Sequence, residues 1–225
     1  MVQEVSARGD AVRRLAALIE ETRCDHPVRV AVDGPDAAGK TMLADDIARV
    51  LGQRGRIAIR ASVDGFHRPR KARYRQGPNS ARGYFEDSFD YSALRTLLLE
   101  PLGPDGDRMY RARAFDYRSD TPVSEPPLLA PSDAVLVFDG VFLLRRELQD
   151  AWDFSIFVSA TFGETLRRAQ LRDSPRLGSP EEVERRYRER YIPGQEIYFA
   201  AATPIEYADA IIINDDPTNP VLRTT

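Results

Sequence analysis

The sequence predicts an α/β fold three layers deep, a parallel sheet of about five strands with helices on both faces. Three observations predict it. Strand-like apolar runs alternate with helix-like periodicity, at Val28–Val32, Arg56–Val63, Ala134–Phe138, Trp152–Ser159 and Ala210–Ile213. The run Ala134-Val135-Leu136-Val137-Phe138 is apolar without a break, which suits a strand buried on both faces. Between the first strand and its helix, Gly34 to Thr41 spells G-x-x-x-x-G-K-[ST], a P-loop pattern in the strand–loop–helix context it requires.

Each part of that loop has a physical purpose. Gly34 and Gly39 let the backbone turn and aim its N–H groups at phosphate oxygens. Lys40 brings a compact positive charge to the terminal phosphates, and the Thr41 hydroxyl can ligate Mg²⁺. The helix that follows points its positive end at the anion. Gly34, Asp36, Ala37, Ala38, Gly39, Lys40, Thr41 and Met42 are therefore the candidate residues for binding the nucleotide. The chain has two lysines, Lys40 and Lys71, among 32 basic residues, so a lysine kept inside the loop points to a need for an ammonium.

A chain of 225 residues suits one α/β domain. The formal net charge of −3 argues against a partner that is a nucleic-acid polymer. One cysteine, Cys24, excludes an internal disulfide and fits a reducing compartment. Glu4, Arg8 and Asp10 leave no apolar leader at the N-terminus, and no apolar run approaches a membrane span. A cytoplasmic protein with no membrane partner is expected; homo-oligomerisation is left open.

In chain order, Val12, Leu15, Ala16, Leu18 and Ile19 form an amphipathic helix that should pack on the sheet. From Arg68 to Gly83 the periodicity disappears. Arg68, Arg70, Lys71, Arg73, Arg75 and Arg82 crowd a stretch with Pro69, Gly77 and Pro78, read as a long basic loop that either binds an anion or is simply solvated. Asp90 or Ser92 caps a helix through Leu94, Leu97, Leu98 and Leu99. Arg108 to Arg118 reads as a small hairpin or edge strand. Thr161 and Glu164 form a capping box for an arginine-bearing helix, and Ser179-Pro180 opens another that ends near Tyr191 and Pro193. A polar tail follows Ile213.

Parallel sheets place ligands beyond the carboxyl ends of their strands. Asp64 and Asp139 each end a strand and should share an edge with Lys40. One carboxylate there can hold Mg²⁺ together with Thr41, and another can accept a proton from an attacking hydroxyl. Asp-Gly is also ordinary turn chemistry. Arg167, Arg168, Arg172 and Arg176 follow the fourth strand. They can clamp a transferring phosphoryl group or form salt bridges with Glu164, Asp173 and Glu181.

The order of motifs resembles a known family. The P-loop is followed by Asp64-Gly-Phe-His-Arg68, Phe85-Glu-Asp-Ser-Phe-Asp90, Phe115-Asp-Tyr-Arg118, Phe138-Asp-Gly-Val-Phe142, Leu166-Arg-Arg-Ala-Gln-Leu-Arg-Asp173 and Ala208-Asp-Ala-Ile-Ile-Ile213. This series is similar to the P-loop kinases that include uridine kinase, phosphoribulokinase and the bacterial pantothenate kinases, and looks most like a bacterial uridine kinase. The resemblance implies ATP and Mg²⁺, a small-molecule hydroxyl acceptor of the nucleoside type, an acceptor-binding insertion around 66–131 and an arginine-rich lid around 167–192.

It implies Asp64 as general base, with Lys40, Arg168 and Arg172 acting on the phosphoryl group and Arg167 and Arg176 completing the lid. Phe66 and His67 stand where uridine kinases carry Phe and Tyr. Glu86 or Asp87 matches an acid that binds sugar hydroxyls, Tyr117 falls in the hairpin that contacts the base, and Gln195 and Glu196 follow the lid toward the acceptor. The departures are on the acceptor side: His67 for Tyr, a shortened Glu86-Asp87-Ser88 motif and the basic loop. Asp139 stands where Glu is usual, which keeps the magnesium role.

Overall fold

The first strand, β1 (Val28–Asp33), is buried at every position and forms the middle of the molecule. The structure, a computed structural model, describes residues 7–224; Glu4 of the N-terminal charge argument lies outside them. After β1 come β2 (Ala58–Ser62), the two-residue strands β3 (Met109–Tyr110), β4 (Phe115–Asp116), β5 (Thr121–Pro122) and β6 (Leu128–Leu129), then β7 (Val135–Asp139), β8 (Phe154–Ser159), β9 (Ala210–Ile213) and β10 (Val221–Thr224). The α-helices are α1 (Ala7–Glu21), α2 (Lys40–Gln53), α3 (Arg70–Arg73), α4 (Ala81–Asp87), α5 (Tyr91–Leu94), α6 (Phe162–Leu177), α7 (Pro180–Arg186), α8 (Ile192–Ala202) and α9 (Pro204–Tyr207).

The main sheet has the order β10-β9-β8-β1-β7-β2. Five of its six strands run parallel, as the apolar runs predict, and β10 pairs antiparallel with β9. The expected polar tail after Ile213 is thus partly a strand. Val221-Leu222-Arg223-Thr224 is too short and mixed in pattern to announce itself, and it forms because β9 offers it an edge. No helix among the described residues is long and apolar enough to cross a membrane.

One face of the sheet packs on α1 and α2, through Val12, Leu15, Ile19, Leu43, Ile47 and Leu51 against Val30, Val32, Val137 and Ile156. The other face packs on the insertion and on α8, through Phe66, Leu94, Leu98, Phe142 and Tyr198 against Ala31, Leu136 and Phe138. Burying both faces is what makes β1 and β7 continuously apolar. The exceptions are Asp33 and Asp139 at the strand ends and Arg29, buried inside β1. Asp153 answers it, accepting from Arg29 Nε at 3.0 Å, Nη2 at 2.9 Å and the backbone N–H at 2.8 Å. Removing one partner of such a pair leaves a buried charge uncompensated. Asp153→Ala is expected to lower the unfolding free energy by about 3–5 kcal/mol, measured by urea denaturation.

Two local readings change. The basic stretch is not one open loop: α3 occupies Arg70–Arg73, and α4 begins at Ala81 with the Ser80 hydroxyl accepting from Gly83 N. Four residues are too few to show a helical period. The second lid helix does not stop near Tyr191. A π-helical turn at Tyr187–Tyr191 joins α7 to α8, so the helix runs through to Ala202. Arg108–Arg118 does not close a hairpin on itself: its two short strands each pair with the stretch that follows, β3 with β6 and β4 with β5, because the chain turns back beyond Arg118. Asp90 is the cap of α5, accepting from Ala93 N.

Candidate active site

The parallel register brings the ends of β1, β7 and β2 to one edge: Val32 pairs with Asp139, and Ser62 pairs with the same Asp139. The P-loop leaves β1 at that edge. Gly34 has φ +143°, and a Cβ there would meet Val158 O at 2.2 Å. Gly39 has φ +102°, and a Cβ would lie 2.5 Å from Asn214 Nδ2. That amide donates to Ala38 O at 2.7 Å, so an asparagine just past β9 buttresses the loop from behind. Beneath it, the fully buried Asp33 accepts from Gly34 N (2.7 Å), Leu144 N (3.1 Å) and the Tyr198 hydroxyl.

The loop opens into a cleft of about 1290 Å³ lined by Asp36, Ala37, Lys40, Thr41, Asp64, His67, Tyr117 and Asp139 among others. Lys40 is buried, and its Nζ donates to Pro35 O at 2.6 Å. Burial pulls its ammonium below the ordinary lysine range, opposed by Asp36, Asp33, Asp139 and Asp64. The Thr41 hydroxyl donates to Asp139 Oδ2 at 2.6 Å. Arg60 Nη2 holds the other oxygen of Asp139 at 2.7 Å, while its Nε pairs with Asp45. These two hard oxygens, facing a phosphate loop, fit Mg²⁺ by donor chemistry. Arg60 escapes a reading of the sequence, since its role depends on β2 lying beside β7.

Asp64 sits in a short 3₁₀ turn after β2, its side chain 60% exposed in the cleft. The cleft walls desolvate it and raise its carboxyl above the ordinary aspartate range; Asp139 and Asp36 add to this, and His67 and Lys40 oppose it. His67 Nδ1 lies 3.0 Å from Asp64 O and 3.9 Å from Asp64 Oδ1. Its ring is flanked by Phe89 at 4.6 Å and Tyr117 at 4.8 Å between centroids. Burial lowers its imidazole pKa against the pull of Asp64. The DGFHR segment and the hairpin tyrosine, far apart in sequence, therefore meet.

Asp36 is held by the Tyr84 hydroxyl at 2.6 Å and by Gln195 Nε2 at 3.3 Å. Gln195 is buried and reaches the cleft only through Asp36, while Glu196 is exposed on α8. The π turn turns Tyr187 and Tyr191 to the same cleft; such turns are frequent at functional sites. Tyr84, Tyr187 and Tyr191 carried no signal in the sequence beyond being aromatic.

The arginines after β8 divide. Arg172 and Arg176 line the cleft, both near Asp173, at 2.8 Å and 3.7 Å. Arg167 and Arg168 do not. Arg167 is paired with Glu164 on the outside of α6. Arg168 donates to Glu164, Ala38 O, Asn214 O and Asp215 O, tying α6 to the loop and to the end of β9. Its expected action on phosphate becomes one of support. Glu164 is thereby drawn away from the capping box. Thr161 Oγ1 still accepts from Glu164 N, but the Thr161 N–H goes to Asp215.

Three further expectations are corrected by burial and direction. Phe66 is fully buried in the core beside Phe138, so it cannot touch an acceptor. Glu86 and Asp87 lie on α4 outside the cleft lining, where Glu86 pairs with Arg82 and the buried Asp87 with Arg75 and Gln76. The Met42 side chain is 63% exposed and outside the cleft lining, which leaves the part expected of this residue to its backbone N–H. Helical phase, which the motif match does not carry, turns these side chains away.

No family model matches the chain. The chain is 29% identical over 189 residues to uridine-cytidine kinase B of Dictyostelium discoideum, covering 83% of this chain and 74% of that protein. It is 27% identical over 176 residues to the inorganic pyrophosphatase TTM1 of Arabidopsis thaliana, covering 77% of this chain but 25% of that protein. A protein of Bacillus stearothermophilus described as a possible uridine kinase superposes with a TM-score of 0.70 at 21% identity, over 90% of this chain and 97% of that one. A P-loop with Lys40 and Thr41, an acidic strand-end pair and helices after β8 whose Arg172, Arg176, Arg185, Arg186 and Arg190 line the cleft are the parts such enzymes use with ATP and, typically, Mg²⁺. Taken with these likenesses, they make the chain a homologue of the uridine-cytidine kinases and a kinase of the uridine kinase-like P-loop type.

Proposed function

We propose that this kinase transfers the γ-phosphoryl group of Mg·ATP to a hydroxyl of a small nucleoside-like acceptor seated over Asp64. The observation that carries this reading is the meeting of Asp64 with Lys40, Thr41 and Asp139 on the floor of one cleft. The acceptor hydroxyl attacks the γ-phosphorus as the bond to the bridging oxygen breaks, ADP leaves, and the hydroxyl proton passes to Asp64. A carboxylate whose proton affinity is raised is better suited to that proton than an ordinary aspartate. Lys40, Arg172 and Arg176 face the charge that spreads over the transferring group. Thr41 and Asp139 would hold magnesium, which when bound neutralises the phosphates. The His67–Tyr117 pair offers an aromatic wall for a planar ring.

The test is an ADP-release assay with Mg·ATP against a panel of nucleosides and other hydroxyl acceptors. One or more acceptors should raise ADP release far above the acceptor-free rate. A rate that no hydroxyl compound changes would instead fit a nucleotide-dependent switch, the reading this proposal displaces.

A further inference from the structure

The α3 side of the cleft is basic in a way that phosphoryl transfer does not use. Arg73 is 8% exposed and lines the cleft. Its Nη2 donates to Asp120 at 3.1 Å, but its buried Nε has no hydrogen-bond partner among the described residues. Nearly all buried donors in folded proteins are paired, so Arg73 holds a guanidinium on the cleft wall that the chain's own acceptors leave under-satisfied. Arg70 lines the same wall. Its backbone N–H goes to Asp120, and no carboxylate lies within ion-pair distance of its guanidinium among the described residues. Arg118, also on the wall, is exposed and has the Tyr117 hydroxyl at 3.5 Å.

Three guanidinium groups therefore line the cleft beside the His67–Tyr117 pair, and of the three only that of Arg73 has a carboxylate within ion-pair distance among the described residues, Asp120. The neighbourhood is electrically felt: Arg73 helps depress His67, and Arg118 and Asp64 act on one another. An acceptor with its hydroxyl on Asp64 and its ring on His67 and Tyr117 would present its remaining end here.

We infer that the acceptor is an anion, a hydroxylated small molecule whose phosphate or carboxylate is bound by Arg73, Arg70 and Arg118 while its hydroxyl rests on Asp64. This deepens the kinase reading and rests on it. Guanidinium forks match both oxyanions, and a neutral analogue would leave their charges on the cleft wall unanswered.

The experiment is a calorimetric titration of the full chain saturated with Mg·AMP-PNP, so that the P-loop is already filled. Inorganic phosphate is the probe in one arm and acetate in the other; the arm that binds identifies which oxyanion the acceptor carries. Wild type should bind one of the two, and Arg73→Gln and Arg70→Gln should each weaken it roughly tenfold or more, as expected for a lost charge-assisted hydrogen bond. Binding of neither anion, or anion binding that both variants leave unchanged, overturns the assignment and leaves the kinase reading intact. Wild type that takes up no Mg·AMP-PNP would count against the kinase reading instead. Because Arg73 is buried, nucleotide binding in the same titration reports whether that variant is folded. Should it not be, the exposed Arg70→Gln decides alone.

Discussion

Asp64→Asn is expected to lower kcat by roughly a hundredfold to ten-thousandfold, the range for losing a general base, while Mg·ATP affinity stays within about twofold. The amide keeps the shape of the side chain and removes its ability to take a proton. Steady-state ADP release and a nucleotide-binding titration check the two halves separately. Near-normal turnover would remove Asp64 from the base role. The wild-type pH profile gives a second handle. On the proposed mechanism Asp64 works ionised, and its carboxyl is raised above the ordinary 3.8. The acid limb of kcat/KM should therefore lie above that pH and vanish in the residual activity of the variant.

Stability should move the other way. A carboxylate whose folded-state pKa lies above its unfolded value opposes folding. That penalty is absent below the unfolded value and grows as pH rises through the raised one. At neutral pH the Asp64→Asn variant should melt no lower than wild type. A clear fall in Tm would mean that Asp64 supports the fold instead.

Lys40→Met is expected to lower kcat roughly a hundredfold or more, the effect of removing one preorganised charge from a developing anion. Methionine keeps the length and apolar stem, so the loss reports the ammonium rather than a cavity. The linkage has the opposite arithmetic and the same outcome. Lys40 is depressed below its ordinary 10.5 by burial, so its charged form opposes folding. That penalty is absent above the unfolded pKa and appears as pH falls through the lowered one. Thermal denaturation at neutral pH should show Lys40→Met equal to or more stable than wild type. Active groups held at a cost to folding are what a catalytic cleft is expected to contain. Unchanged turnover would detach the P-loop lysine from phosphoryl transfer.

The strands were legible because a sheet covered on both faces demands unbroken apolar runs, as in Ala134–Phe138. The phosphate loop was legible because its backbone needs Gly34 and Gly39 at fixed spacing, and φ values of +143° and +102° show why. Asp64 and Asp139 could be placed because a strand's carboxyl end is a position along the chain. Arg168 and Arg172, four residues apart on one helix, looked equivalent. Yet Arg168 is spent on Ala38, Asn214 and Asp215, and Arg172 faces the cleft. Glu86 and Phe66 failed for a related reason: a motif carries residue order, while the direction of a side chain depends on what packs against the element.

Local physics was thus enough to read the donor half of the site from the amino acids. Strand period, turn geometry and phosphate charge each act over a few neighbouring residues, and Gly34 to Thr41 contains them all. The acceptor half depends on meetings between distant segments. Arg60 reaches Asp139 only because β2 pairs with β7, and Tyr84 reaches Asp36 across 48 positions. His67 meets Tyr117 because the hairpin folds back over the 3₁₀ turn. Such contacts are set by packing that joins separate parts of the chain, and no stretch of sequence spells them.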